Sequence, residues 1–257
     1  MAYTLTSEGG VGILTMERPP ANAYTKETLL ELQKCIDTAR DDPAIRCVVV
    51  KSALPKFFAA GADISTLDGA TPQSFADFVL MAHETVGMIE RTPKIFIAAI
   101  AGHCIGGGLE IALACDLRFA ATGTYGFALG EVNLGLSPGM GGTQRLARLI
   151  HPGQALHLMI TGETVPPERA HELGIVERLF PAETFWNDVM DYAKKLAAGP
   201  SLAHGLIKQS VRNGLAGSFE QGLAQERANQ SQLFVSADAR EGVKAFLEKR
   251  KAQFQGR

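Results

Sequence analysis

Short apolar runs alternate with helical periodicities through the first half of the chain. Val11 to Met16 reads as a strand after a Gly-Gly turn, and Arg18-Pro19-Pro20 ends it. From Thr25 onward, Leu29, Leu30, Leu32 and Ile36 recur at helical spacing, while Lys26, Glu27, Glu31 and Lys34 supply a polar face. Asp41-Asp42-Pro43 stops that helix. Cys47-Val48-Val49-Val50 is wholly apolar, as a strand covered on both faces must be. Strand, helix, strand in this order predicts an α/β domain.

The same reading continues downstream. Phe57 to Asp63 is a turn of small residues after Pro55, and a helix from about Ser74 to Arg91 follows. Ile95 to Ile100 is the next buried strand; a glycine turn then opens a helix from about Gly107 to Cys115, and Leu117 to Ala120 is a further strand. Glu131 to Arg145 is a long connection with little helical character until Gly142. Gly199-Pro200 marks a boundary. Beyond it lie three helices, Ser201 to Val211, Ser218 to Phe234 and Ala237 to Phe254, with no strand signal among them. Residues 1–199 are therefore expected to form a core, and residues 200–257 a helical module that packs across a subunit interface.

Composition narrows the function. Apolar residues make up 46% of the 257 and charged residues 20%, ordinary values for a soluble globular chain large enough to bury a full core. A formal net charge of −2 gives no reason to expect nucleic acid or a membrane as partner. The one strongly basic run is Lys249-Arg250-Lys251. The four cysteines, Cys35, Cys47, Cys104 and Cys115, form no C-x-x-C pair and no zinc spacing, so no metal is expected. Cys104, beside the glycine triplet, reads as a small buried thiol. The N-terminus lacks a basic and an apolar targeting region, and runs such as Ile95 to Ala101 are too short to span a bilayer. The expected location is the cytoplasm.

Candidate chemistry concentrates at three places. Phe58-Ala59-Ala60-Gly61-Ala62-Asp63 is small enough for a ligand to approach the backbone. Gly106-Gly107-Gly108-Leu109-Glu110 follows a buried strand and opens a helix, so free N–H groups and the positive end of the helix dipole meet at one point. That point suits a phosphate or a developing enolate. The spacing is neither a P-loop nor G-x-G-x-x-G. Glu110 alone is explained by its favourable place in the dipole, worth roughly 0.3–1 kcal/mol. Yet it precedes Ile111-Ala112-Leu113-Ala114, a run expected to be buried, where a carboxylate is costly without a task or a partner. Glu131 alone is either a solvated loop carboxylate or a functional one.

Taken together, these segments resemble the crotonase superfamily, the enoyl-CoA hydratase/isomerase family. The resemblance extends through Glu17-Arg18-Pro19, Asn22-Ala23, Cys115-Asp116, Glu131 to Arg145, Leu158 to Thr161, Ala170 to Val176 and Glu241 to Lys251. It implies a ClpP/crotonase-like spiral of ββα units with a C-terminal helical trimerisation module, in a homotrimer or a dimer of trimers. It implies an oxyanion hole made by the backbone N–H groups of Ala62 and Gly107. Glu131 would transfer the proton at the substrate α-carbon, and Glu110 would hold and activate the water that adds at the β-carbon. CoA would be met by Ala60 and the backbone near Ala23, with Ala62, Asp63 and Ile64 alongside. Arg18 and Lys56 would serve the CoA phosphates, and Phe246 and Lys249, sharing a helical face, would reach the CoA of a neighbouring subunit.

The implied activity is hydration of a trans-2-enoyl-CoA, with CoA as part of the substrate and no metal or redox cofactor. Δ3,Δ2-Enoyl-CoA isomerisation, hydration of a cyclic or dienoyl thioester, and a CoA- or RNA-binding homologue with incidental catalysis remain as alternatives; neutral composition argues against RNA. Acyl length and pathway stay open, with Phe75, Phe78, Met81 and Met88 as candidates for either the acyl pocket or the core. One departure from the family pattern is Gly130, where Pro commonly precedes the second glutamate. The interval 131 − 110 = 21 is one longer than usual, and a bulge at Tyr125 to Leu129 is expected to absorb it.

Overall fold

A computed structural model of the chain describes residues 1–66 and 68–257. Its strands are β1 (Tyr3–Glu8), β2 (Val11–Met16), β3 (Cys47–Ser52), β4 (Phe57–Ala59), β5 (Ile95–Ile100), β6 (His103–Ile105), β7 (Leu117–Ala121), β8 (Phe127–Ala128) and β9 (Arg178–Phe180). Its helices are α1 (Lys26–Asp41), α2 (Pro72–Arg91), α3 (Gly107–Ala114), α4 (Gly142–Leu149), α5 (Pro152–Thr161), α6 (Pro167–Glu172), α7 (Phe185–Ala197), α8 (Ser201–Ala216), α9 (Phe219–Phe234) and α10 (Ala237–Leu247).

Six strands form one sheet in the order β1-β2-β3-β5-β7-β9, antiparallel only between β1 and β2. A second sheet, β4-β6-β8, is parallel throughout. The two sheets are built by repetition. In β3-β4-α2, β5-β6-α3 and β7-β8-α4 the first strand joins the large sheet, the second joins the small one, and a helix follows. This is the expected spiral of ββα units.

The wholly apolar strands are buried on both faces. Val48 and Val50 of β3, with Phe96, Ala98 and Ile100 of β5, face the cluster that contains Leu29, Leu32 and Ile36 of α1. Cys47 and Val49, with Ile97 and Ala99, face the opposite cluster, closed by Phe185, Val189, Met190 and Ala193 of α7. Alternation along a strand makes this division automatic. Each large apolar side chain buried this way contributes about 1.5–3 kcal/mol.

Helix starts follow local chemistry. Thr25 caps α1 in a reciprocal box with Thr28; Thr71 caps α2 in the same way with Ser74, and Pro72 occupies the first turn.

Several expectations need correction. β1, β6, β8 and β9 were not anticipated, and the turn expected from Phe57 to Asp63 begins as strand β4. No bulge appears at Tyr125 to Leu129. Phe127 and Ala128 pair regularly with Cys104 and Ile105, and Tyr125 Oη donates to the carbonyls of Ile100 and Ala121. The last helix ends at Leu247, not Phe254. Lys249 has φ 54°, its N–H donates to Phe246 O, and Arg250 N–H donates to Ala245 O. That is a Schellman stop with lysine in the left-handed position usually taken by glycine. Phe246 and Lys249 therefore do not share a helical face. The remaining tail folds back, with the N–H groups of Gln255 and Gly256 donating to the Asp238 carboxylate.

Helix α8, which follows Gly199-Pro200, is anchored to the core. Lys208 is buried; its ammonium donates to Ile89 O and Lys94 O and pairs with Asp116 at 2.8 Å. Lys208→Met should remove about 3–5 kcal/mol, the usual cost of breaking a buried pair. For a chain of this size that is a fall in Tm of roughly 10 °C. An unchanged melting curve would show that Lys208 does not anchor α8.

Candidate active site

The carboxyl ends of β4, β6 and β8 carry the three segments singled out in the sequence. After β4, Ala60 N–H donates to Ala21 O, Tyr24 N–H to Gly61 O, and Asp63 N–H to Tyr24 O, at 2.8–2.9 Å. This ladder uses the peptide groups on either side of Ala62 and leaves the Ala62 N–H without an acceptor among the described residues. Asn22 sets the partner segment in place. Buried, with φ 54°, it donates to Ser52 Oγ and Phe58 O and accepts from Arg18 N–H.

After β6, Gly106 N–H donates to Ala128 O at 2.7 Å, and α3 begins at Gly107. The Gly107 N–H is an orphan of the first helical turn, with no acceptor among the described residues. The two turns nearly touch. A Cβ added to Gly61, which has φ 93°, would stand 2.9 Å from the Gly107 nitrogen. Two unengaged N–H groups at a helix start can stabilise negative charge on a ligand oxygen.

Glu110 lies in α3, all eight residues of which are buried. Its Oε1 accepts from Met140 N–H and Gly142 N–H, both at 2.7 Å. Burial pushes its pKa up to about 7; the charge of Glu131 adds to the rise, and the two N–H donors and Arg145 oppose it. Glu131 follows β8 and opens a single 3₁₀ turn, Glu131–Leu134, closed by Gly135 in the left-handed region. Its Oε1 lies beside Gly106, where an added Cβ would come within 3.2 Å. Its Oε2 is buried with no hydrogen-bond partner among the described residues. Burial raises this pKa too. Two carboxylates of raised pKa beside an anion-stabilising pair of N–H groups can carry a proton to one atom and take one from another.

The expected CoA contacts divide into two groups. Arg18, Ala23, Ala60, Ala62, Asp63 and Ile64 gather on the two adjoining segments. Arg18 is already engaged: it donates to Ala23 O at 2.5 Å and pairs with Asp63 at 2.8 Å, so its visible task is to brace this ledge. Hydrogen bonds from Ser65 and then Arg18 hold the Asp63 carboxyl below its usual range. Lys56 is exposed just before β4. Phe246 is 83% exposed, and no hydrogen bond or ion pair among the described residues joins α10 to the Ala60–Ile64 ledge. Within one chain, Phe246 and Lys249 are not brought to the site.

Three features escaped the sequence. The buried ring of Tyr24 stacks on Phe78 with centroids 6.0 Å apart. Its hydroxyl lies so close to Gly107 that any Cβ there would collide with it. Burial and the nearby Glu110 and Glu131 raise its pKa, keeping it a phenol. The Met140 and Gly142 donors and the side chain of Arg145 are the other two. Of the candidate pocket residues, Phe78, Met81 and Met88 pack against the core and Phe75 is exposed.

The model of the family Enoyl-CoA hydratase/isomerase matches residues 6–257. The crotonyl-CoA hydratase of Syntrophomonas wolfei is 35% identical, with 99% of each chain covered. The short-chain-enoyl-CoA hydratase of Clostridium acetobutylicum is 33% identical over 97% of this chain and 95% of its own. The crystal structure of an enoyl-CoA hydratase from Bacillus anthracis superposes with a TM-score of 0.95 at 33% identity, covering 100% of both chains. The chain belongs to the enoyl-CoA hydratase/isomerase family.

Proposed function

We propose that this protein is an enoyl-CoA hydratase, adding water reversibly and syn to a trans-2-enoyl-CoA to give a 3-hydroxyacyl-CoA. The observation that carries this reading is the pairing of Glu110 and Glu131 beside the unengaged N–H groups of Ala62 and Gly107. The thioester oxygen lies against those two donors. Glu110 takes a proton from water as the oxygen bonds to the β-carbon. The double-bond electrons move toward the thioester, and the charge that builds on its oxygen is met by preorganised dipoles. Glu131 then gives its proton to the α-carbon. No step calls for a metal or redox cofactor. The ledge from Ala60 to Ile64, with Ala23, Arg18 and Lys56, receives the CoA. Retention of Glu110 favours hydration over Δ3,Δ2-isomerisation, which needs only Glu131 and the oxyanion donors.

Glu110→Gln should cut hydration of crotonyl-CoA by about 10²–10⁴ with little change in thioester binding. Glu131→Gln should also abolish exchange of the α-proton with deuterium. A Glu110→Gln enzyme that still hydrates crotonyl-CoA within a few-fold of wild type would remove Glu110 from the mechanism.

The pair also sets a pH limit. Burial, and then repulsion by ionised Glu131, raise the pKa of Glu110 to about 7, so the last proton shared by the two carboxyls is lost as pH rises through about 7. Hydration needs that proton on Glu131, and dehydration needs it on Glu110. In both directions kcat/KM should fall as pH rises through about 7. Initial rates at low substrate would check this; a profile flat into the alkaline range would remove the shared proton from the mechanism.

Assembly as a homotrimer or a dimer of trimers is part of the proposal. Ile207, Val211 and Leu215 on α8 and Phe219 and Phe234 on α9 are all more than half exposed, more than a monomer ordinarily shows in one place. Sedimentation should give a trimer or hexamer, and Ile207→Glu should shift it toward monomer. A monomeric wild type would end this part of the reading.

A further inference from the structure

Glu110 is held by the turn at Met140 and Gly141 and by the first residue of α4, Gly142. Both donors to Glu110 Oε1 come from this stretch. Arg145 holds it. Arg145 Nη1 donates to Met140 O at 2.7 Å, on the same residue whose N–H meets the glutamate. The guanidinium lies against Gly141, which has φ 98°, closely enough that a Cβ there would collide with it.

Arg145 is itself fixed from behind. Its Nε and Nη2 donate to the two oxygens of Glu90, at the end of α2, at 2.9 and 2.6 Å. This is the forked geometry in which guanidinium orientation is best defined. Glu90 Oε1 also accepts from Arg212 Nη1 of α8 at 2.7 Å. Arg212 continues to Ala114 O, at the end of the helix that carries Glu110, and to Asp116 Oδ1. Asp116 is in turn paired with Lys208.

We propose that Arg145 is a positioning residue for Glu110, held in register by Glu90 and by Arg212 of the C-terminal helices. The proposal rests on the reading of Glu110 as the group that activates water. Arg145 acts on it in two ways. Through Met140 it aims two backbone donors at one carboxylate oxygen and leaves Oε2 for the water. Through its charge it offsets part of the effect of burial. The other titratable groups near Glu110 are Glu131 and Tyr24.

The test compares Arg145→Gln, Arg145→Lys and Glu90→Gln with wild type, using crotonyl-CoA as substrate. Arg145→Gln should lower kcat about 10–100-fold with KM nearly unchanged, the size expected when a reacting group is misplaced by a fraction of an ångström to an ångström. Loss of the positive charge should also move the alkaline limb of kcat/KM to higher pH. Arg145→Lys keeps the charge but loses the fork, so kcat should fall while the limb stays near its wild-type position. Glu90→Gln, which keeps the shape of the anchor, should lower kcat in the same sense and covers the case in which Arg145→Gln fails to fold. A purely structural role would lower Tm and leave kcat and the limb where they were; that outcome overturns the proposal. Full recovery of kcat in Arg145→Lys would also overturn it, reducing the role to charge. Glu110→Gln separates the two readings. If it abolishes hydration while Arg145→Gln and Glu90→Gln are silent, only the positioning role falls; if it too is silent, the role of Glu110 falls with it.

Discussion

The site depends on one close approach of backbone to backbone. The turn after β4 and the turn after β6 come so near that a single methyl group on Gly61 would stand 2.9 Å from the Gly107 nitrogen. Neither backbone could keep its place around a side chain there. The approach follows from parallel pairing in the small sheet, which brings the carboxyl ends of β4, β6 and β8 to one edge. Ligands of α/β proteins bind at such edges because the chain leaves each strand with peptide groups unpaired. Here two of those N–H groups, from Ala62 and Gly107, end side by side. The third strand delivers Glu131 next to Gly106.

Holding the carboxylates there costs stability. Glu110 is 1% exposed in a helix buried along its whole length. With its pKa raised from 4.5 to about 7, the folded state binds the proton more tightly than the unfolded chain does. The contribution of this group to stability is then fully present at low pH and is lost as pH rises from about 4.5 to about 7, by roughly 3 kcal/mol once it is ionised. Two backbone donors and the neighbouring Arg145 limit that loss. In the proposed hydration this penalty has a use, because a carboxyl at its ordinary pKa would be a poor partner for proton transfer near neutrality.

What the sequence made legible follows from how local each signal is. Val48 to Val50 and Ile95 to Ile100 announce themselves because strands buried on both faces need apolar residues at every position. Thr25 marks a helix start through its reciprocal bonds with Thr28, three residues on. Glu110 and the glycines before it stood out because a carboxylate entering an apolar helix is unusual. The small sheet did not stand out. Its strands are two or three residues long, too short for any period, and exist only through pairing with one another. The end of α10 was equally hidden, because Lys249 takes a backbone conformation in which glycine is the ordinary signal. Glu90 and Arg145 are 55 apart in sequence, so nothing local relates them.

These differences divide the labour of the site. The backbone donors and Glu131 depend on the small sheet, whose geometry is set by main-chain hydrogen bonds and by glycines that allow close contact. Glu110 depends on side chains from three separate helices. Its turn is held by Arg145 on α4, Arg145 by Glu90 on α2, and Glu90 by Arg212 on α8, which also grips the end of α3. A main-chain ladder tolerates most substitutions that keep the backbone in place. A chain of ion pairs does not, since each charge left without its partner in a half-buried setting is itself destabilising. The unengaged N–H groups of Ala62 and Gly107 are thus the conservative part of this architecture and the placement of Glu110 the sensitive part. The helices after Gly199-Pro200 are linked to the surroundings of Glu110 through Arg212.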